Sequence, residues 1–220
     1  VFDRAVIVVG PEPSMDAVAR AAAPHVTVVQ HDRRGTAHAA LQAVEHFGAP
    51  DDEIVIMYAD NPLIRAETLR RLLAERREAG AALALMAMRP EDPGRYGRVI
   101  ASPEGAVERV VEWADATEAE RAIGLCNAGV MAASARDMSG WLYAIRADNA
   151  AGEFYLTDAV AIARAGGDRV IAVEAPAEEL LGVNSREELA AAEAVVQTAL
   201  RRAAMAAGAT LIDPSSVFFS

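Results

Sequence analysis

The chain has 220 residues, 53% of them hydrophobic and 24% charged, with 21 basic against 32 acidic positions and a net charge of −11. This composition excludes a disordered chain, and the lack of any 18-residue apolar run argues against a membrane-spanning helix. The acidic balance is the reverse of what a nucleic-acid groove shows.

The elements follow in chain order. The β-branched run Arg4 to Gly10 predicts a strand buried on both faces. Ser14 to Ala23 reads as a helix with Ser14 as N-cap and Pro24 as its stop. His25 to Gln30 is a second strand, Thr36 to Phe47 a helix entered through Gly35, and Glu53 to Tyr58 a third buried strand. Ala66 to Ala79 is an amphipathic helix and Ala81 to Met88 a fourth strand. Gly97 to Ala101 and Gly105 to Glu112 read as short strands joined by a turn over Ser102, Pro103, Glu104 and Gly105. Leu125 to Ala132 is a strand flanked by helices, Thr157 to Ala165 a helix, Arg169 to Val173 a strand and Ser185 to Ala206 a long helix. This alternation predicts one α/β domain, with a mostly parallel, mixed central sheet and helices on both faces. The tail, Gly208 to Ser220, is apolar and ends abruptly.

Every basic residue is arginine, so a Schiff-base lysine and a complete Walker A loop are excluded within these residues. The four histidines, His25, His31, His38 and His46, and the single Cys126 form neither an HExxH nor a CxxC frame. One thiol rules out an intrachain disulfide, and the opening residues lack a signal-peptide pattern, which together point to the cytoplasm.

Ligands of open α/β sheets bind at the carboxyl ends of strands. Asp60, closing the strand that holds Tyr58, is either a metal ligand or a turn-initiating residue before Asn61-Pro62. Gly35 and Thr36 form either an ordinary loop and N-cap or a place where backbone N–H groups meet a ligand. Glu112 closes an apolar strand, and Asn127 lies inside another, where its amide needs a structural or ligand partner. Asn184 could be a plain N-cap.

The segments HDRRGTAHA, YADNPLI, RYGRVI, VVEWADATE, LCNAGVM, AGEFYLTDAV and GVNSREELA occur in this order. So arranged, the chain resembles the uridylyltransferase domain of the bifunctional bacterial N-acetylglucosamine-1-phosphate uridylyltransferases, over essentially its whole length. The resemblance implies a Rossmann-like nucleotide-diphospho-sugar transferase fold of the GT-A type. Residues 1–206 would be the nucleotidyltransferase domain, and 207–220 a tail leading into a left-handed β-helix. The family's first βα unit, with its Gly-rich phosphate loop, has no counterpart here, so the resemblance implies a fragment with little activity of its own.

By the same resemblance, Gln30, Gly35, Thr36, Tyr58, Ala59 and Asp60 bind the nucleotide. Gly97, Glu112, Asn127, Tyr155, Thr157 and Asn184 bind the sugar phosphate. Asp60 and Asn184 ligate Mg²⁺ and are the catalytic pair. The implied reaction joins UTP and N-acetylglucosamine 1-phosphate into UDP-N-acetylglucosamine, a precursor of peptidoglycan and lipopolysaccharide, and releases pyrophosphate. The implied assembly is a homotrimer built through the β-helix, with neither nucleic acid nor membrane as partner. The chain departs from the family at Ala59, where glycine is usual, at Asn61, where valine is usual, and at Ala114, where lysine is common. Two other readings stay open: a pyrophosphorylase for another sugar phosphate or nucleotide, and a non-catalytic sugar-nucleotide-binding fragment.

Overall fold

A computed structural model describes residues 2–11, 15–102 and 105–220. The predicted N-cap Ser14 and the turn residues Pro103 and Glu104 lie outside the described residues. In chain order the elements are β1 (Val6–Val9), α1 (Met15–Ala21), β2 (Val26–Val29), α2 (Thr36–Leu41), β3 (Glu53–Ile56) and α3 (Ala66–Glu78). Then come β4 (Leu83–Met88), β5 (Arg98–Ala101), β6 (Val107–Val111), α4 (Glu118–Arg121), β7 (Cys126–Ser134) and α5 (Ala135–Ala144). The chain closes with α6 (Asp158–Ala165), β8 (Val170–Glu174), α7 (Ala177–Leu180) and α8 (Arg186–Ala206).

β4 shows why the sheet sits where it does. All six of its residues are apolar and buried, so it can carry a layer on each side. Leu83, Leu85 and Ala87 pack with Met138, Trp141 and Leu142 of α5 and with Ala159, Val160 and Ala163 of α6. Ala84, Met86 and Met88 face the other way, onto Leu69, Leu72 and Leu73 of α3. This period-two division of one strand between two cores puts helices on both faces.

The main sheet runs β6-β5-β7-β4-β8, with β3 also paired to β7. It is mixed: β4 and β8 are parallel, whereas β7 runs antiparallel to β3, β4 and β5. β7 is the longest strand, and its two halves have different neighbours on one edge. Cys126 pairs with Arg98 of β5, while Met131 to Ser134 pair with Ile56 to Glu53 of β3. Between the halves β7 bulges, since Leu85 faces Met131 but Ala87 faces Asn127.

Several sequence expectations change. β1 is not buried on both faces: it pairs with β2 in a separate two-stranded parallel sheet, and Val9 is its one buried residue. A β-branched run reports strand propensity and not the number of neighbouring layers. The helix expected to reach Phe47 stops at Leu41 and resumes as a 3₁₀ turn over Val44–His46. The apolar spacing misled because Val44 and Phe47 still pack on the core. The short helix α7 was not foreseen. The tail folds back on α8: the Gln197 side chain exchanges two hydrogen bonds with the backbone of Phe219, and Arg201 donates to the carbonyl of Val217. Among the described residues no helix is long and apolar enough to cross a membrane.

Candidate functional site

Tyr58 is the residue around which the site is organised. It follows β3, and its ring lies against Gly129 in the β7 bulge: a Cβ added at Gly129 would fall 2.3 Å from Tyr58 Cε2. Gly129 has φ +73°, so the bulge and the ring contact both call for a residue without a side chain. Burial pushes the Tyr58 phenol up to about 12; a hydrogen bond with Thr36 opposes this, and the charges of Glu112 and Asp60 add to it. Tyr58 thus stays protonated and feels the charges of two of the expected site residues, Glu112 and Asp60.

On one side lies the loop after β2. Gln30 Nε2 is 3.2 Å from the carbonyl of Gly35 and 3.0 Å from Nδ1 of His38. The loop is sewn to the segment before α6. Phe154 donates its N–H to the Arg34 carbonyl at 2.8 Å, and Ala37 N–H donates to the Phe154 carbonyl at 2.9 Å. Leu156 N–H donates to the Thr36 hydroxyl at 3.0 Å. Gly35 has φ +110°, and a Cβ there would lie 2.6 Å from the Phe154 carbonyl oxygen, so this close approach needs glycine. An open groove of about 320 Å³ is lined by Gly10, Gln30, Arg33, Gly35, Thr36 and Glu153, with Val8, Val9 and Ala39 as its apolar wall. Thr36 does not cap its helix; its hydroxyl accepts from Leu156 N–H instead.

On the other side are Gly97, Glu112, Asn127 and Thr157. Thr157 is 2% exposed and donates its hydroxyl to Glu112 Oε1 at 2.9 Å. Glu112 Oε2 lies 3.2 Å from where a Cβ on Gly97 would be, so a side chain there would press on the carboxylate. Burial pushes the Glu112 carboxyl above its ordinary range, Thr157 pulls it back, and Asp158 and Asp115 push it further up. Burial likewise raises the Tyr155 phenol, helped by the charges of Asp115 and Glu112. Asn127 N–H donates to the Gly97 carbonyl at 2.8 Å. Its side-chain oxygen accepts from Gly129 N–H at 3.3 Å, so part of the amide is structural; Nδ2 has no protein partner among the described residues.

Asp60 and Asn184 are 124 positions apart but meet at Gly182. A Cβ on Gly182 would lie 3.3 Å from Asp60 Oδ2 and 3.5 Å from Asn184 Nδ2. Val183 N–H donates to the Asp60 carbonyl at 2.8 Å, and Asn61 Nδ2 to the Leu180 carbonyl at 2.6 Å, which ties the two loops together. Neither side chain is committed elsewhere. The cap of α8 is Ser185, in a capping box with Glu188, so the N-cap alternative for Asn184 falls away. The Asp60 carboxylate has no hydrogen bond or ion pair to protein among the described residues.

Thr36, Asp60 and Glu112 all lie close enough to Tyr58 to shift its phenol, with Gln30 and Gly35 joined to the Thr36 segment and Gly97, Asn127 and Thr157 to the Glu112 side. Ala59, between Tyr58 and Asp60 in the chain, is exposed. A second groove, of about 340 Å³ between Arg65 and α8, contains none of the expected residues. Sequence reasoning missed His38, Tyr96, Phe154 and the Gly129 and Gly182 contacts. Tyr96 accepts from Gly182 N–H at 3.4 Å and so links the Gly97 segment to the Asp60–Asn184 pair. Gly129 inside an apolar strand was a legible sign of a bulge; the others act through backbone groups that leave no motif.

Among the described residues no three His, Cys, Asp or Glu side chains cluster as a metal centre. One carboxylate and one amide over a glycine-floored recess are a sparse donor set. That suits a hard divalent cation which keeps waters and takes phosphate oxygens as its remaining ligands.

A family model described as the MobA-like NTP transferase domain matches residues 1–209. The bifunctional protein GlmU of Gluconacetobacter diazotrophicus is 59% identical over 224 residues, covering 100% of this chain and 48% of that protein. GlmU of Acidiphilium cryptum is 57% identical over 219 residues, covering 100% of this chain and 49% of that protein. The chain thus spans about half the length of the curated relatives it matches. A UDP-glucose pyrophosphorylase complexed with UDP-glucose superposes with a TM-score of 0.62 at 14% identity, covering 88% of this chain and 81% of that one. A putative glucose-1-phosphate thymidylyltransferase from Bacillus anthracis gives 0.64 at 16% identity, covering 86% and 74%. At such identities the likeness speaks to the fold alone.

Proposed function

Because the chain belongs to the MobA-like NTP transferase family, we propose that it carries the uridylyl-transfer centre of a longer protein. A phosphate oxygen of N-acetylglucosamine 1-phosphate attacks the α-phosphorus of UTP. The α–β phosphoanhydride bond breaks, pyrophosphate leaves, and UDP-N-acetylglucosamine forms. The attacking phosphate is already ionised, so no general base is required, which agrees with an Asp60 carboxylate that has no hydrogen bond or ion pair to a histidine among the described residues. Residues 1–206 carry this centre, and 207–220 lead toward a β-helix that assembles a cytoplasmic homotrimer; the sequence resemblance supports both points.

The observation that carries the reading is the convergence of Asp60 and Asn184, both free of other partners, on the glycine-floored recess beside Tyr58. Asp60 would hold Mg²⁺ through its carboxylate, and Asn184 would do so once its amide oxygen turns toward the recess. Bound there, the ion would supply charge neutralisation and a template for the phosphates. Gln30, Gly35 and Thr36 would seat the base. Tyr58 and Ala59 would flank the nucleotide. Gly97, Glu112, Asn127, Tyr155 and Thr157 would hold the sugar.

The test is ³¹P NMR of the protein carrying this chain, given UTP, N-acetylglucosamine 1-phosphate and Mg²⁺. Formation of the sugar nucleotide and pyrophosphate is expected. It should fall ~100-fold or more in Asp60→Asn, the scale of losing a charge-stabilising group at a reacting phosphate. Full turnover by Asp60→Asn, or equal use of another sugar phosphate, would overturn the reading.

A further inference from the structure

We propose that His38 is a positioning residue for base selection, acting by fixing which end of the Gln30 amide faces the groove. The proposal rests on the reading of Gln30 as the base-facing residue and adds the partner that orients it. An amide nitrogen carries two hydrogens and accepts none. Gln30 Nε2 places both of them on protein acceptors, the Gly35 carbonyl at 3.2 Å and His38 Nδ1 at 3.0 Å. The reversed amide would set its oxygen against the Gly35 carbonyl oxygen, which can only accept, so the orientation is determined. Nδ1 of His38 must then be the acceptor, and the ring proton lies on Nε2.

His38 sits on α2, where its carbonyl accepts from the Gln42 side chain at 3.0 Å. Its imidazole lies 6.2 Å from the Phe154 ring, tilted by 39°. With both amide hydrogens engaged, Oε1 is the polar side-chain atom that Gln30, as a lining residue, has left for the groove. An obligate acceptor matches a pyrimidine whose N3 carries hydrogen, as in uracil. It repels the N3 lone pair of cytosine. His38, which need not touch the base, would therefore set the preference for uridine over cytidine nucleotides.

The experiment uses the ¹⁵N-labelled 220-residue chain and titrates it with UTP and with CTP in the presence of Mg²⁺. In the free chain, the His38 nitrogen shifts should show Nδ1 without a proton and the Gln30 side-chain amide should show two hydrogen-bonded protons. His38→Leu removes the acceptor; His38→Asn replaces it with an oxygen at nearly the same reach. The leucine variant should lose about tenfold of the UTP-over-CTP affinity ratio, the scale of one such hydrogen bond, and the asparagine variant should keep most of it. A protonated Nδ1 in the wild-type chain overturns the proposal without any variant. So does an unchanged ratio in His38→Leu, or an equal loss for both nucleotides in both variants. If the wild-type chain shows no preference for UTP, the uridine assignment fails. The positioning claim then stands or falls on whether His38→Leu abolishes the two-bond signature of the Gln30 amide.

Discussion

Gly129→Ala is the most direct probe of how the site is built. The substitution places a Cβ 2.3 Å from Tyr58 Cε2 and 2.4 Å from Cδ2, where ordinary contact begins at 3.4 Å. Either the ring or β7 must move. The added methyl also sits at φ +73°, a conformation costing about 1 kcal/mol for an L side chain. Forcing the contact apart costs about 1–3 kcal/mol more. The total, about 2–4 kcal/mol, is below the 5–15 kcal/mol typical of a folded domain, so the variant should fold. For a chain of this size, thermal unfolding should move down by about 5–15 °C. Gly105→Ala is the control: Gly105 has φ +83° and nothing within 4 Å of its would-be Cβ, so it isolates the backbone cost, about 2–4 °C. Tyr58→Ala combined with Gly129→Ala should recover the clash, giving a coupling of about 1 kcal/mol or more in a double-mutant cycle. Scanning calorimetry and urea unfolding measure all five proteins: the wild type, Gly129→Ala, Gly105→Ala, Tyr58→Ala and the double variant. Equal losses in Gly129→Ala and Gly105→Ala, with no coupling to Tyr58, would refute the claim that the ring is seated on the bulge.

Glu112 holds its proton more tightly in the folded chain than in the unfolded one, so its contribution lowers stability as pH rises from its ordinary 4.5 through its raised native value. Glu112→Gln should remove that slope, and its stability relative to wild type, measured by urea unfolding, should improve as pH rises above 4.5. Ser185→Ala breaks the capping box of α8 and should cost about 1 kcal/mol, a melting shift of about 2–4 °C. Gln30→Ala should weaken UTP with little effect on the sugar phosphate, whereas Asn127→Ala should do the reverse; apparent Michaelis constants for both substrates decide. Equal losses for both substrates would make these two residues scaffold only.

β4 and β1 mark the limit of what the sequence discloses about the fold. Both are unbroken apolar runs, yet β4 is buried throughout and β1 has one buried residue. Hydrophobicity states what a strand tolerates, while the number of layers around it depends on chain segments far away. The α8 cap was legible, because Ser185 followed by Glu188 is a local signal. The pairing of Asp60 with Asn184 came only from resemblance, since nothing in spacing ties positions 124 apart. What joins them is a set of backbone hydrogen bonds and a glycine recess. Of the two alternatives open for Thr36, the N-cap falls away, because its hydroxyl accepts from Leu156 N–H, 120 positions away in sequence.

β7 has a consequence for folding. Its first half places Asn127 beside Gly97, and its second half pairs with β3, which leads into Tyr58 and Asp60. A slip of one residue would invert every side chain along it and dismantle both halves of the site together. The two halves should therefore open as a single cooperative unit. Native-state hydrogen exchange should find the amides of β3 and β5 opening with those of β7, at the free energy of global unfolding. The loop around Gln30, which hangs from the smaller β1–β2 sheet, should open at lower cost.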